Sequence, residues 1–323
     1  MGARVSSRFS LIELAYHRLK EYGLHSHYIL SACELAYSAY RNKNRKSRPY
    51  FKRPSLKLDR SSYVLNHLIL RILTRPRHYI YLTLQASDFQ LSLVENPALR
   101  VGSVTVTECS VSIAISKDNA TISPLGQIGI DVNERNVTWS DSSGTTKTVE
   151  MSEVAEIQEC YREIRAKIAR RTQHDWRVQR QLLKKYGRRE KARTNQRIHR
   201  VTKDIVEHAQ AKSLGIILEN LKGIRRLYRR GNGQSKSFRA RMNAWKFREF
   251  QRQIEYKAAW TGIPITWISP RGTSSRCPNC GNSLVPLDGR RLMCASCKQS
   301  EDRDVIASRN IMARVVPRAR PSS

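Results

Sequence analysis

Four cysteines near the C-terminal end have the number and spacing of a metal site. They form two Cys-x-x-Cys pairs, Cys277/Cys280 and Cys294/Cys297, with thirteen residues between the pairs. Tetrahedral zinc is commonly held by two such short turns joined by a hairpin. Because all four ligands would be thiolates and no coordination position stays open for a substrate, we predict that this zinc is structural rather than catalytic.

Three acidic residues form a second group, and each lies where a strand or helix could present a carboxylate. Asp131 interrupts an apolar strand-like run, Glu219 ends another such run, and Asp304 lies near the start of a helix-like run. A buried carboxylate needs a cation or a hydrogen-bond donor, because burying an unpaired charge is costly. Asp302 precedes Asp304 by two residues, and we interpret Asp302 as the helix N-cap and Asp304 as the ligand.

The order of these elements (strand with Asp, strand with Glu, helix with Asp) is that of an RNase H-like α/β core. Near pH 7 three carboxylates with ordinary pKa values of ~4 would be anionic, and their repulsion favours divalent cations. Magnesium needs only a few carboxylates when substrate phosphate completes its ligands, and two ions could activate a water for phosphodiester hydrolysis. We therefore predict that Asp131, Glu219 and Asp304 are magnesium ligands and catalytic residues. The zinc ribbon would be an insertion before the last core helix.

The elements that must position these residues differ between the two halves of the chain. Residues 8–40 have helical periodicity with a break at Tyr22 and Gly23, and residues 55–117 alternate with period two. That alternation includes Leu91 and Leu93, and it predicts several short strands in a small barrel or sandwich.

In the second half, the pattern predicts strands, a helical hairpin and a basic loop. A strand from Gln127 continues to Trp139, and a helix with Ser152 as N-cap is broken at Tyr186 and Gly187. We further predict a returning helix over 198–209, a strand at 214–220, a mobile basic loop at 222–241, a helix over 245–260 and a strand at 265–268.

The chain carries 59 basic and 27 acidic residues, a formal net charge of +32. Such a charge favours extended contact with a nucleic-acid backbone; a ribosome-bound or halotolerant structural protein and an anionic-membrane binder are the alternatives. Basic clusters at 41–53 and 170–193 would be either solvated surface or backbone-binding segments, and we favour binding. The residues predicted to contact nucleic acid are Arg45, Lys46, Arg48, Lys52, Arg53, Arg188 and Arg189.

Cellular location is constrained by hydropathy and by cysteine usage. No run reaches the ~18 apolar residues of a membrane span, so no membrane partner is expected. Four of the seven cysteines have zinc spacing, which favours a reducing compartment. We expect Cys33, Cys109 and Cys160 to be buried as small apolar side chains. A cytoplasmic prokaryotic protein, at the nucleoid when bound to DNA, is the expectation.

Several motifs together resemble one known family. They are Gly129-Ile130-Asp131-Val132-Asn133, Leu218-Glu219-Asn220-Leu221-Lys222-Gly223-Ile224, Asn243-Ala244-Trp245, Phe250-Gln251-Arg252-Gln253-Ile254-Glu255-Tyr256-Lys257, Pro270-Arg271-Gly272-Thr273-Ser274-Ser275-Arg276-Cys277-Pro278-Asn279-Cys280-Gly281 and Asp302-Arg303-Asp304-Val305-Ile306-Ala307. With these motifs the sequence resembles the TnpB (OrfB) family of transposon-encoded RNA-guided nucleases, which are related to the type V CRISPR effectors. The resemblance covers roughly 55–316 and is most specific from Glu219 onward.

The resemblance implies roles for the segments. The three acids would be the RuvC catalytic triad, and the four cysteines the zinc site of a target-nucleic-acid-binding insertion. It also implies a guide RNA, a double-stranded or single-stranded DNA target and, with the transposon setting, a possible transposase partner from the same element. We expect a helical recognition-like segment and basic arm at 1–54, a wedge-like β-barrel at 55–122, a RuvC-like core at 123–270 with its hairpin at 152–212, the zinc ribbon at 271–301, the last RuvC helix at 302–316 and a tail at 317–323.

Two departures from the family pattern leave other interpretations open. Family members usually begin with a strand of the type Lys-x-Tyr-x-Phe-Arg-Leu-Tyr-Pro, whereas this chain starts with a helix-like segment, and many relatives have Asn where Ile306 stands. The leading hypothesis is an RNA-guided DNA endonuclease. The alternatives are a nuclease-deficient RNA-guided or DNA-binding regulator, a transposase acting directly on transposon ends, and a zinc-dependent structural protein.

Overall fold

A computed structural model describes residues 5–42, 48–51, 53–75 and 77–314. The chain divides into two compact units, Met1–Asp118 and Asn119–Ser323. Across the described ranges, no helix is both long enough and apolar enough to pass through a membrane.

Among its described residues, the first unit combines three helices with two small antiparallel sheets. The predicted helices and the break between them are confirmed as α1 (Arg8–Lys20) and α2 (Ser26–Arg41). The sheets have the orders β1-β5-β6 and β2-β3-β4, and their inner faces share an apolar core of Leu58, Tyr63, Leu70, Ile72 and Val104. The strands are β1 (Ser55–Leu58), β2 (Tyr63–Asn66), β3 (Ile69–Arg75), β4 (His78–Thr83), β5 (Arg100–Thr107) and β6 (Val111–Ser116).

The strand expected at Leu91 and Leu93 is wrong, because this segment is the helix α3 (Asp88–Glu95). A capping box starts it: the Ser87 hydroxyl accepts from the Gln90 amide at 3.4 Å, and the Gln90 side chain accepts from the Ser87 amide at 2.9 Å. The Ser-x-x-Gln spacing satisfies two amides that have no partner within the helix, and this local gain overrides a short alternating pattern.

The second unit is built on a five-stranded sheet of order β11-β10-β7-β8-β9. Strands β10 and β11 run parallel to β7, whereas β8 and β9 are antiparallel to their neighbours. The single strand expected from Gln127 to Trp139 is wrong, because the chain turns at 133–135 and forms a hairpin. The strands are β7 (Gly126–Val132), β8 (Asn136–Asp141), β9 (Thr146–Glu150), β10 (Leu214–Glu219) and β11 (Ile265–Ile268).

Helices cover one face of this sheet and bury its apolar side chains. They are α4 (Ser152–Arg171), α5 (Trp176–Ala211) and α7 (Phe247–Thr261). Ile198 and Ile205 of α5 and Ile254 of α7 pack against Ile130 and Ile216 of the sheet, and all five are nearly inaccessible. Alternation along β7 and β10 therefore turns Asp131 and Glu219 to the opposite face.

The expected break at Tyr186 and Gly187 is wrong, because α5 runs through both residues. A Cβ at Gly187 would have nothing within 4 Å, so no close contact requires a glycine there. The glycine lowers the helix propensity of this segment but does not end the helix. The turn lies instead at 172–175, where the Asp175 carboxylate caps α5 by accepting from the amides of Arg177 and Val178. Ser152 is also not the N-cap of α4; that position is Met151, and the Ser152 hydroxyl donates to Glu150.

The mobile basic loop expected at 222–241 is wrong in part. It contains a 3₁₀ turn (Ile224–Tyr228) and the helix α6 (Lys236–Ala244), which is capped by the Ser235 hydroxyl. The helix expected from Trp245 begins at Phe247 and ends at Thr261. Gly262, at φ +75°, closes α7, and a Cβ there would lie 2.4 Å from the Ala120 carbonyl oxygen.

The last helix, α8 (Arg303–Ala313), lies on the face of the sheet opposite α5 and α7. The expected N-cap is confirmed, since the Asp302 side chain accepts from the Asp304 amide at 2.8 Å. Gly129 of β7 permits close approach, because a Cβ there would lie 2.4 Å from both the Ser308 carbonyl oxygen and the Met312 nitrogen. This absence of a side chain brings Asp304 close to the sheet.

Candidate active site

The three predicted acids line one cavity of about 890 Å³ in the second unit. Asp131 is carried by β7, Glu219 by the last residue of β10, and Asp304 by the first turn of α8. Because β7 and β10 are parallel neighbours, their carboxyl ends lie at the same edge of the sheet. The fold therefore brings together three residues that are remote in sequence.

The surroundings of Asp131 disfavour its ionised form. Burial raises the pKa of Asp131 to about 7, and the negative charges of Glu219 and, to a smaller extent, Asp304 contribute to the rise. A hydrogen bond of 2.8 Å from Asn133 Nδ2 to Asp131 Oδ2 opposes it. Repulsion among close carboxylates is a frequent property of sites that bind cations.

Glu219 is fixed from two directions at the end of β10. Its backbone oxygen accepts from Gln251 Nε2 at 2.8 Å, so α7 fixes the backbone that presents the carboxylate. Burial raises the pKa of Glu219, against the effects of a side-chain hydrogen bond with Thr273 and the charge of Arg314.

Asp304 is only 4% exposed and is surrounded by donors. Asn136 Nδ2 donates to Asp304 Oδ2 at 2.9 Å, and the Arg290 guanidinium donates to the same oxygen. This bond raises the already high pKa of Arg290, so the arginine is fully charged. The third acid is thus paired with a cation in this state, whereas Asp131 accepts a hydrogen bond from the Asn133 amide and is influenced more weakly by the charge of Arg303.

Basic and aromatic residues that come after β10 in the sequence line part of the cavity. Trp245 Nε1 donates to the Asn133 carbonyl oxygen at 3.1 Å, and Arg241 pairs with Glu134 at 2.8 Å. These contacts attach the segment around α6 to the turn that follows Asp131. The loop after β7 is therefore fixed by the segment that was expected to be mobile.

The four predicted cysteines form a compact cluster whose sulfur atoms all lie within 4.8 Å of one another. The Sγ atoms of Cys277 and Cys297 are 3.6 Å apart, and those of Cys280 and Cys294 are 3.4 Å apart. Four sulfurs placed tetrahedrally at ~2.3 Å from zinc would be separated by roughly 3.8 Å. The cluster is thus compatible with structural zinc.

Three short strands form the body of this ribbon: β12 (Leu284–Asp288), β13 (Arg291–Cys294) and β14 (Ser300–Asp302). The hairpin tip between β12 and β13 carries Arg290, and β14 leads directly into α8. The Arg303 amide also donates to the Arg290 carbonyl oxygen at 3.0 Å. The ribbon and the first turn of α8 are therefore joined by two contacts at the hairpin tip.

The oxygen atoms that line the acid cavity are the kind of ligand that magnesium binds. Its three carboxylates are oxygen ligands, and Asn136 Oδ1 is a buried oxygen that has no hydrogen-bond partner among the described residues. Among the described residues, the four cysteines are the only group of three or more His, Cys, Asp or Glu side chains that lie close enough together to share one metal ion in this way. Magnesium keeps several waters and substrate phosphates as ligands, so its site does not require protein ligands grouped as tightly as the four thiols.

The predicted nucleic-acid residues that the structure describes are all exposed. Arg48 and Arg53 are exposed, Arg188 and Arg189 are exposed on α5, and Arg45, Lys46 and Lys52 lie outside the described residues. Of the scattered cysteines, Cys33 is buried as expected, but Cys109 and Cys160 are exposed, so that prediction is wrong for two of the three.

The sequence analysis missed four residues whose side chains contact the carboxylates of the acids: Asn133, Asn136, Thr273 and Arg290. The first two follow β7 within a few residues, and a short Asp-x-Asn spacing could have indicated the hydrogen bond between Asp131 and Asn133. Asn136 and Arg290 reach Asp304 only through the tertiary fold, so no local pattern predicts them.

Comparison with solved structures defines the class of fold. The protein is similar to a chain of the solved Cas12f1–sgRNA–target DNA complex, with a TM-score of 0.64 and a sequence identity of 15%. The match covers 96% of this chain and 76% of that chain. The family model described as the Cas12f1-like TNB domain matches residues 247–311. The protein therefore has a Cas12f-like fold.

Sequence comparison identifies the family. A TnpB-like protein of Methanocaldococcus jannaschii is 32% identical over 253 residues, which cover 75% of this chain and 89% of that protein. A second TnpB-like protein of the same organism is 24% identical over 94% of this chain and 72% of its own length. The CRISPR-associated endodeoxyribonuclease Cas12f1 of Sulfoacidibacillus thermotolerans is 32% identical, but over 35% of this chain and 25% of its own length. The chain belongs to the TnpB family, which is related to the type V CRISPR effectors.

Proposed function

We propose that this protein is an RNA-guided DNA endonuclease that hydrolyses phosphodiester bonds with magnesium held by Asp131, Glu219 and Asp304. The observation that carries the proposal is the convergence of these three carboxylates in one cavity, where burial and the neighbouring acids raise the pKa of Asp131 to about 7. A cluster of acids that repel one another in this way is stabilised by divalent cations.

The relatives support the choice of substrate and partner. The Cas12f1 and Cas12f2 relatives are named endodeoxyribonucleases, and the Cas12f1 structure contains an sgRNA and a target DNA. A net charge of +32 suits a protein that holds a guide–target heteroduplex by its backbone. On this proposal, base pairing reads the target sequence and the protein reads a short adjacent motif.

The fold supports a division of roles within the second unit. We assign the sheet with α8 to an RNase H-like core and the cysteine ribbon to a target-nucleic-acid-binding insertion. In the first unit, we assign the two three-stranded sheets to the wedge-like barrel. The exposed Arg48, Arg53, Arg188 and Arg189 remain proposed backbone contacts, together with Arg45, Lys46 and Lys52.

On this proposal, the chain's own residues position the carboxylates and offset the negative charge of the substrate phosphate. Magnesium, when bound, would supply an activated water and stabilisation of charge on the leaving oxygen. Asn133 and Asn136 orient the carboxylates of Asp131 and Asp304 through hydrogen bonds of 2.8 and 2.9 Å. Arg290 lies at the same cavity, where a guanidinium can bind a phosphate oxygen of the substrate.

The test is to express the protein with its flanking genomic DNA, sequence the RNA that co-purifies, and assay cleavage of matching DNA with magnesium. Asp131→Ala should abolish cleavage but leave RNA binding intact. Asp204→Ala, which removes an exposed carboxylate from α5, is the matched control and should cut normally.

Three other results would contradict this proposed function or favour another one. Cleavage by Asp131→Ala would refute the triad. RNA and DNA binding without cleavage in magnesium would favour the nuclease-deficient regulator. Strand transfer on transposon ends without RNA would favour a transposase acting directly on DNA.

A further inference from the structure

A second cavity, of about 690 Å³, lies beside the acid cavity in the second unit. The two cavities share one wall, formed by residues 220–223, which follow Glu219 at the end of β10. The rest of its lining is Arg225, several residues of α7 and Trp267 of β11. Its volume is that of a small-molecule site, since such sites usually measure about 300–1,000 Å³. Nothing in the proposed cleavage chemistry uses this cavity.

Two aromatic rings line the second cavity, and one of them is open to solvent. Trp267 is 39% exposed and lies on β11, the edge strand of the sheet. Phe247 is only 7% exposed, and the Arg225 guanidinium lies 5.7 Å from the centre of its ring. An exposed indole in a concave site offers a flat apolar surface with a polar N–H at its edge. A flat aromatic group is therefore the complementary part of a ligand.

The cations of the second cavity outnumber its acids. Lys222, Arg225 and Arg248 line it and form no ion pair with any carboxylate of the described residues. Arg252 is already paired with a carboxylate of its own helix, at 2.7 and 3.0 Å. Glu255 is the one acid among the described lining residues. Guanidinium groups bind phosphate oxygens through parallel hydrogen bonds, so the charge of the cavity favours a phosphate group.

We propose that the second cavity binds a nucleoside phosphate, with its base against Trp267 and its phosphate on Arg225 and Arg248. Unpaired bases stack on aromatic rings in proteins, and nearby cations hold the phosphates that the bases carry. Two sources supply this chemistry: a free mononucleotide, and one nucleotide of a single DNA strand that crosses residues 220–223 from the acid cavity. Binding at this cavity does not depend on the cleavage proposed above, because it requires neither the three acids nor magnesium.

Other ligands fit the lining of this cavity less well. Inorganic phosphate would leave the Trp267 ring without a partner, and a neutral aromatic compound would leave the three cations without one. An acidic peptide carries the required charge but no flat ring beside it. Base-paired nucleic acid is a poorer ligand, because its bases are stacked on one another and cannot reach the indole.

The first experiment measures binding of 5′-dAMP by calorimetry to the full chain, purified free of nucleic acid and kept in EDTA. Trp267→Ala should weaken dAMP binding at least about 10-fold, because the stacked ring is lost. Trp260→Ala is the matched control, since Trp260 is 40% exposed on α7 but does not line the cavity. Asp131→Ala should bind dAMP as wild type does, which separates this cavity from the acid cavity.

A second comparison separates the phosphate from the base. Arg248→Ala should weaken dAMP binding at least about 10-fold but leave the binding of deoxyadenosine, which has no phosphate, unchanged. Arg200→Ala, at an exposed arginine of α5, is its control. Inorganic phosphate should bind at least about 10-fold more weakly than dAMP, because it lacks the base. Phosphate that binds as tightly as dAMP, or equal effects of the two tryptophan substitutions, would overturn the proposal.

Photocrosslinking of wild type guards against a variant that fails to fold. With 8-azido-dAMP, the label should appear on the peptides that contain Trp267 or residues 247–255, and unlabelled dAMP should remove it. An eight-nucleotide DNA strand with one 8-azidoadenine tells the two sources apart. Labelling of the same peptides by the strand at lower concentration than by the mononucleotide would assign the cavity to a strand, and labelling by the mononucleotide alone would assign it to a free nucleotide.

Labelling that both probes place only elsewhere would overturn the proposal. DNA cleavage is scored separately, so normal dAMP binding without cleavage, or the reverse, tells this proposal apart from the proposed nuclease function.

Discussion

Arg290 and Asp304 form an ion pair between the tip of the ribbon hairpin and the first turn of α8. The pair connects the cysteine cluster to the third acid, because β13 runs from Arg291 to Cys294. Asp304 is nearly inaccessible, whereas the Arg290 side chain is 58% exposed. The position of one acid of the candidate site therefore depends on a hairpin that the cysteines hold.

Removal of zinc should consequently disturb the acid site. Chelation, or Cys277→Ser with Cys297→Ser, should release the hairpin, displace Arg290 from Asp304 and reduce cleavage at least about 10-fold, since metal binding and local folding are coupled. Zinc content and cleavage rate are measured together. Cys160→Ser, at an exposed cysteine outside the cluster, is the control, and full cleavage after complete zinc loss would contradict the dependence.

Arg290→Ala should strengthen magnesium binding but slow cleavage. Arg290→Ala removes the cation that competes for Asp304, so the magnesium concentration for half-maximal cleavage should fall. The maximal rate should fall by roughly 10² because a donor to the phosphate is lost. A magnesium titration of the cleavage rate checks both.

The control for this titration is Arg291→Ala. The Arg291 guanidinium donates to Ser300 Oγ at 3.1 Å, within the ribbon. If Arg290→Ala and Arg291→Ala gave the same titration, the ion pair with Asp304 would have no part in the site.

The raised pKa of Asp131 predicts a stability that depends on pH. A carboxyl whose folded pKa of about 7 exceeds its unfolded value of 3.8 stabilises the fold only when protonated, so the metal-free protein should lose stability as pH rises between these values. At pH 8 the free energy of unfolding of Asp131→Asn should therefore exceed that of wild type by about 1–3 kcal/mol, which raises its melting temperature, whereas at pH 4 the two proteins should be about equally stable. Thermal melts in EDTA test this, and saturating magnesium should reduce the difference at pH 8. A variant that is no more stable than wild type at pH 8 would contradict it.

Gly129 should be intolerant of a side chain. Gly129→Ala places a Cβ against the backbone of α8, at 2.4 Å from the Ser308 oxygen, so α8 must move away. We expect a loss of about 3 kcal/mol in the free energy of unfolding, together with loss of cleavage as Asp304 is displaced. Gly187→Ala, in the interior of α5 with open space around it, should instead stabilise by about 0.5–1 kcal/mol. Chemical denaturation measures both, and equal effects would contradict the packing argument.

The sequence alone was sufficient for features that are set by local chemistry. Cysteine spacing predicted the compact thiol cluster, Asp302 was recognised as a cap because its side chain reaches an amide two residues away, and α1 and α2 follow from helical periodicity. It failed where two local signals competed. The Ser87 cap overrode the alternation at Leu91 and Leu93, and packing held α5 continuous through Gly187.

Only the tertiary structure decided how the acids are arranged. The order of Asp131, Glu219 and Asp304 indicated a common site, but their convergence requires the parallel pairing of β7 with β10 and the close approach of α8 at Gly129. Asn136 and Arg290 meet at Asp304 from positions 168 and 14 residues away in sequence. No periodicity or spacing encodes such contacts, because they arise only when separate elements pack together.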